Sequence, residues 1–199
     1  VGFGLLAEPY SRAALIRPCV DTKRYRKGRT GAIADPWQRE GNALSMESIK
    51  DFEDILELLD KHKVRYLIIG GLAFIYHAKP RYTKDMDLWI DPAPENIKQA
   101  NRALAEFGSP YTLTFENVNE ILQLGVAPDR IDLIMNVTGA TFETAWRNRI
   151  RGRYGEAKAN WIDLDSLIRI KSRINNPRHQ EDVRVLREVR KRRARSTKA

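Results

Sequence analysis

Apolar residues recur every three to four positions along residues 46–62, MESIKDFEDILELLDKH, where Ile49, Phe52, Ile55, Leu56 and Leu59 form one stripe. That spacing predicts an amphipathic helix, with Ser48 and Asp51 as a modest start signal. The pattern then changes. Residues 65–69 are a short apolar run bounded by Gly70-Gly71, which predicts a buried strand. Residues 72–78 are apolar on most sides and predict a short buried helix, ended by Pro80. Residues 86–91 predict a second strand, closed by Pro92 and Pro94. A helix is predicted over 94–107: proline suits its first turn, Ile97, Ala100, Leu104 and Phe107 make the stripe, and Gly108 stops it.

Further along, 111–115 read as a short strand and 118–124 as a short helix ending at Gly125. Residues 130–135, RIDLIM, predict a third strand, alternating at its start and apolar at its end. A helix over 142–149 and an extended 154–162 containing an edge strand follow. Asp163 caps a helix over 163–174 with Leu164, Leu167, Ile168 and Ile174 as its stripe. Asn175-Asn176-Pro177 breaks it, and a last helix over 179–190 buries Val183, Leu186 and Val189. There is no internal repeat. Strands and helices mixed along one chain predict an α/β (α+β) fold, a mixed sheet flanked by helices with a short C-terminal helical segment.

Residues 1–45 lack a sustained period and include the basic, glycine-broken run KRYRKGRTG. They are expected to be a disordered basic arm. The sequence starts with Val, and Met46 opens the first helix, so 1–45 read as upstream sequence in preference to a functional arm. The expected organisation is this arm, a folded unit over 46–162, a helical segment over 163–190 packed on it, and a disordered basic tail over 191–199.

Charge changes the picture less than its total suggests. The net charge is +9, but residues 1–45 hold 8 Lys and Arg against 4 Asp and Glu, and 191–199 hold 5 Lys and Arg and no acid. The span 46–190 is then neutral, with 22 residues of each sign. Flexible basic arms bind nucleic acid, so a phosphate-rich partner stays open on charge alone. No apolar run approaches the roughly 20 residues that span a bilayer, so no membrane partner is expected. A single cysteine, Cys19, excludes an internal disulfide and fits a cytoplasmic location.

The chemistry concentrates in 63–91, KVRYLIIGGLAFIYHAKPRYTKDMDLWID. Residues i and i+2 of a strand face the same side, so Asp85 and Asp87 present two carboxylates together while Met86 and Leu88 enter the core. Like charges at that spacing repel unless a cation or proton lies between them. Carboxylate oxygens suit Mg²⁺, which is usually completed by water and substrate phosphates. Asp132, between Ile131 and Leu133, adds a third carboxylate if its strand lies beside the first pair. Such a set holds two metals about 3.5–4 Å apart for in-line phosphoryl or nucleotidyl transfer. Gly70-Gly71 lets backbone approach a phosphate, and the following helix start offers free N–H groups. Arg81 and Lys84 are nearby cations. His77 reads as a packed side chain, His62 and His179 as surface residues, and Trp89, Trp146 and Trp161 as packing.

The string Gly70-Gly71, thirteen residues, then Asp85-Met86-Asp87-Leu88 resembles the signature of the DNA polymerase beta-like nucleotidyltransferase superfamily. The longer form, with Leu72-Ala73 and Arg81-Tyr82-Thr83-Lys84, resembles the branch of abortive-infection nucleotidyltransferases in bacterial toxin–antitoxin systems. The segment from Leu167 to Leu186, with Lys171, Pro177, Arg178, Glu181 and Asp182, resembles that branch's helical tail, so the likeness covers 46–190. It implies a nucleotidyltransferase-like mixed sheet, two Mg²⁺ ions (or Mn²⁺), and transfer of NMP from an NTP to an acceptor hydroxyl. Carried over, Asp85, Asp87 and Asp132 are the metal-binding and catalytic acids. Gly70, Gly71, Arg81, Thr83, Lys84 and Lys171 bind phosphate or nucleotide. The implied partners are an NTP, an RNA acceptor such as a tRNA end, and a cognate antitoxin protein. Two departures stand out. Gly71 replaces a frequent Ser, removing a hydroxyl contact to phosphate, and His179 replaces an acid in the C-terminal segment. Alternatives are transfer to a small molecule or protein side chain, and a non-catalytic antitoxin-like binding module.

Overall fold

A computed structural model describes residues 49–83, 85–126 and 129–196 of the chain. The arm expected over 1–45, the end of the tail and Lys84 lie outside the described residues. Helix α1 (Lys50–Lys61) follows the predicted stripe and buries Phe52, Ile55, Leu56 and Leu59. Strand β1 (Tyr66–Ile68) leads through Ile69 into α2 (Gly70–His77), which starts at the first glycine itself. Strand β2 (Asp85–Ile90) and helix α3 (Pro94–Phe107) follow, with Gly108 closing α3 in the left-handed conformation at φ 90°.

Residues 111–115 form no strand. The helix expected over 118–124 is instead strand β3 (Ile121–Leu124). Its apolar residues pair with β4 (Arg130–Ile134), a long-range partner that four residues of local pattern do not reveal. Helix α4 (Phe142–Arg147) is shorter than expected and is capped by Thr141, whose side chain accepts from Thr144 N–H. Strands β5 (Ile150–Tyr154) and β6 (Ala157–Trp161) form an antiparallel hairpin. One edge of the sheet is β5, the other β3, while β6 runs parallel to β1 inside it. Asp163 caps α5 (Leu164–Ser172) by accepting from Ser166 N–H at 2.9 Å. Helix α6 (Pro177–Ser196) starts at the proline and runs through the start of the expected basic tail.

The six strands make one mixed sheet in the order β3-β4-β2-β1-β6-β5. Alternation along β2 divides the core. Met86, Leu88 and Ile90 join Phe52, Ile55, Ile97 and Leu104 under α1 and α3. Trp89, with Leu67 and Ile69 of the neighbouring segment, joins Phe74, Phe142, Leu167 and Leu186 under α2, α4, α5 and α6. Each fully buried side chain of this kind contributes about 1.5–3 kcal/mol. Asp85, Asp87 and Asp132 lie on the first halves of β2 and β4, on the same face as Trp89.

Candidate active site

Strands β2 and β4 run side by side in parallel, with Asp85 opposite Arg130 and Asp87 opposite Asp132. These four residues therefore share one sheet face, while Met86 and Ile131 fill the opposite one. The adjacency of the two strands, on which the expected meeting of Asp85, Asp87 and Asp132 rested, is present. It depends on a pairing between residues 45 apart in sequence, made possible because both strands are apolar on their other face.

The glycine turn is shaped around Asp87. Gly70 has φ +63°, and a Cβ there would overlap the Asp87 carboxylate. Gly71 N–H donates to that carboxylate. A Cβ on Gly71 would in turn overlap Thr83 Oγ1, the hydroxyl that donates to Asp85 Oδ1 at 3.1 Å.

Burial, then the charges of Asp85 and Asp132, push the Asp87 carboxyl up to about 6. Burial also raises Asp132, against the Arg130 guanidinium that pulls it down. Asp132 is 5% exposed, and its Oδ1 has no hydrogen-bond partner. Its other oxygen accepts from Arg130 Nη2 at 2.8 Å, and the same Nη2 lies 2.8 Å from Asp85 Oδ2. Arg130 is therefore the resident cation of the acid cluster. Strand β3 adds Gln123, opposite Asp132 and hydrogen-bonded to it.

Behind the acids lies a second charged group. Asp182 of α6 accepts from Lys171 Nζ at 2.8 Å and from Arg81 Nη1 at 2.5 Å. Lys171 is 2% exposed and Asp182 3%. The Arg81 guanidinium also stacks 4.4 Å from the Phe74 ring centroid. The Lys171 charge reaches Asp87 and favours its ionised form. Arg81 and Lys171 therefore reach the site as partners of one buried aspartate. His179 is half-buried beside this group with an unpartnered Nδ1, and burial holds it below the usual histidine range. His77 is packed as expected, its Nε2 2.7 Å from Ile162 O. Trp161 stacks on Tyr76 at 4.5 Å.

Sequence reasoning missed Arg130, Gln123 and the closeness of Thr83 to Gly71. Arg130 was visible two residues before Asp132, at the spacing that shares a strand face. Gln123 carried no signal, because β3 itself was misread as helix.

The donor set is chemically suited to a hard divalent cation: three carboxylates, one with an orphaned buried oxygen. Among the described residues, however, no three acidic, histidine or cysteine side chains are gathered closely enough to hold an ion as they stand. Arg130 bridges two of the acids, so an ion bound by both displaces its guanidinium.

What the described residues define is an α/β protein with three aspartates on one sheet face beside a glycine turn. No protein-family model matches the sequence, and no curated protein matches it. Among solved structures, the chain is similar to the lincosamide antibiotic adenylyltransferase LnuA in its lincomycin-bound form, at 17% identity and TM-score 0.49, over 72% of this chain and 99% of that one. It is similar to ANT(2″)-Ia in complex with adenylyl-2″-tobramycin at 16% identity and TM-score 0.44, over 74% and 97% of the two chains. An antigenic nucleotidyltransferase-like protein from Paracoccidioides brasiliensis aligns at 14% identity and TM-score 0.42, over 71% and 76%. No helix among the described residues is long and apolar enough to cross a membrane.

Proposed function

We propose that this chain is a metal-dependent nucleotidyltransferase that moves NMP from an NTP to an acceptor hydroxyl. The supporting observation is the register that sets Asp87 against Asp132, with Asp85 two residues along and Gly70 packed on the Asp87 carboxylate. The motif resemblance over the glycine turn and the paired acids supports the same reaction.

In this reading Asp85, Asp87 and Asp132 hold Mg²⁺ or Mn²⁺, two ions in the full site. When bound, the metal supplies positive charge against the charge that develops on the transferred phosphoryl group. The chain's own residues do the rest. Gly70 lets the backbone come close to the triphosphate, and Thr83 offers it a hydroxyl. Arg130, once released from the acids, is a guanidinium placed to pair with phosphate oxygens. The acceptor oxygen forms a bond to the α-phosphorus, the bond to the β-phosphate oxygen breaks, and pyrophosphate leaves. Asp132, whose Oδ1 is free, takes the acceptor proton. The Arg81–Asp182–Lys171 group fixes the wall behind Asp87.

The acceptor in this proposal is an RNA end, such as that of a tRNA, with a cognate antitoxin protein as the controlling partner. Incubation of the full chain with each labelled NTP, Mg²⁺ and total RNA tests both parts. Label transferred to RNA by the wild type, and lost in Asp85→Asn/Asp87→Asn, is the expected result. Transfer to a non-RNA acceptor would keep the reaction and remove the acceptor. Absence of any labelled product with every NTP would remove both.

A further inference from the structure

Beside α5 and α6 lies a groove that the proposed chemistry does not use. It has a volume of about 440 Å³ and is lined by Gly139, Ile168, Arg169, Ser172, Arg173, Arg187 and Arg190. Four arginines line it, and no acid does. Arg169 of α5 and Arg173, the residue that follows its last turn, are four apart, and Arg187 and Arg190 are one turn apart on α6. The loop after β4 closes one end: Gly139 has φ +103°, and a Cβ there would press on Arg169 O and Arg173 Cγ. Only glycine lets this loop seat so closely on α5.

The guanidinium groups of Arg173 and Arg187 have no hydrogen-bond or acid partner among the described residues. Arg190 pairs with Asp165 at 3.2 Å, an exposed contact of little strength. Arg169 donates to Ser166 Oγ at 2.9 Å and has no acid partner. Beyond the groove, α6 continues with Arg192 and Arg195 and with Lys191, which pairs with Glu188 at 2.9 Å, all exposed. The basic surface is thus a groove joined to a track along one helix.

We infer that this groove binds the phosphodiester backbone of a single-stranded nucleic acid. Guanidinium forks pair with phosphate oxygens through two parallel N–H bonds, and residues three to four apart on a helix lie about 4.5–6 Å apart along its axis. Two such rows facing one another hold successive phosphates of an extended strand. A single small anion would need donors converging on one point, whereas these four are distributed around an open groove and continue along α6. The floor, Ile168 with Gly139, leaves room for sugar and base edges without a hydrogen-bonding pattern that reads sequence. The inference stands apart from the transferase reading, because no lining residue of the groove belongs to the acid cluster or to the Arg81–Asp182–Lys171 group.

Fluorescence anisotropy of the full chain with a labelled 20-nucleotide RNA of mixed sequence, read over a salt series, tests this. The variants are Arg173→Gln/Arg187→Gln and a charge-matched control, Arg102→Gln/Arg151→Gln, on exposed positions elsewhere. The groove pair is expected to weaken binding about tenfold or more, and to flatten the slope of log K against log salt by about 1.4, at roughly 0.7 per lost phosphate contact. The control pair should change neither much. Read without NTP or Mg²⁺, the assay reports binding alone, which separates this inference from the catalytic one. Equal weakening by both arginine pairs would overturn it, since net charge would then be the cause. Displacement of the RNA by millimolar inorganic phosphate, or equally well by polyglutamate of the same charge concentration, would also overturn it.

Discussion

The Asp87 carboxylate occupies the space that a side chain on Gly70 would need. The turn and the acid are therefore one unit: the strand places the carboxylate and the glycine makes room for it. Gly70→Ala meets both this overlap and a left-handed backbone at φ +63°, where an L side chain alone costs about 1–2 kcal/mol. The variant is expected to lose at least that much stability in urea unfolding, and its nucleotidyl transfer. Wild-type stability and activity in Gly70→Ala would show that the turn is not built around Asp87.

The Thr83 hydroxyl lies against the place that a Cβ on residue 71 would take. Thr83→Ala is expected to lower transfer about tenfold, the effect of one hydrogen bond to a charged group. Gly71→Ser in the wild type should do worse, because the new side chain collides with Thr83. Gly71→Ser combined with Thr83→Ala should recover much of the lost rate. Additive losses in the double variant would mean that the two positions do not share one role.

Arg130 lies between Asp85 and Asp132 at 2.8 Å from each, in the place of a cation. Replacing it by Gln leaves the acids facing one another without a counter-charge. In a chelator the variant should melt below the wild type. Added Mg²⁺ should then raise its melting temperature more than it raises that of the wild type, since no guanidinium competes for the acids. A tenfold gain in affinity corresponds to about 1.4 kcal/mol at saturating metal. Equal Mg²⁺ responses would show that Arg130 does not compete with the ion.

Asp182 is the shared partner of Lys171 and Arg81, and both ends of its pair with Lys171 are almost fully buried. Breaking a buried pair by removing one charge costs about 3–5 kcal/mol, because the other is left unpaired. Asp182→Asn should destabilise the chain by that order in urea unfolding. Lys171→Met/Asp182→Leu, which removes both charges, should recover part of the loss. A larger loss in the double variant would mean that the pair is worth more than its desolvation.

Asp87 in the folded chain holds its proton more tightly than in the unfolded chain, with its value raised from the usual 3.8 to about 6. Folding without metal therefore favours the protonated acid. The penalty for ionised Asp87 is full above about pH 6 and fades as pH falls toward about 4. His77 and His179 act in the opposite sense, since burial lowers both and their protonation on acidification opposes folding. Comparison with Asp87→Asn isolates the acid. In chelator, the melting temperature of the wild type relative to the variant should rise between pH 7.5 and 5. Mg²⁺ stabilisation of the wild type should be weaker at pH 5.5 than at 7.5, because protons compete for the same oxygens. A pH-independent difference would place the Asp87 carboxyl in its ordinary range.

The sequence by itself determined the elements with strong local signals. Helices α1 and α3 carry apolar stripes at helical spacing, α3 between a proline and a glycine. Strand β2 announces its two faces by alternation, so the shared side of Asp85 and Asp87 was legible before any pairing was known. Tertiary structure decided the rest. Strand β3 is too short for its period to be read, and only its ladder with β4 makes it a strand and brings Gln123 to Asp132. Arg130 as the cluster's counter-ion follows from the parallel register of β2 and β4, a contact across 45 residues that no local pattern encodes. Lys171, on a helix that reads as half-solvated, is buried because α6 brings Asp182 onto it. A charge enters the interior only when its partner is delivered there, and that delivery is a property of the packed helices.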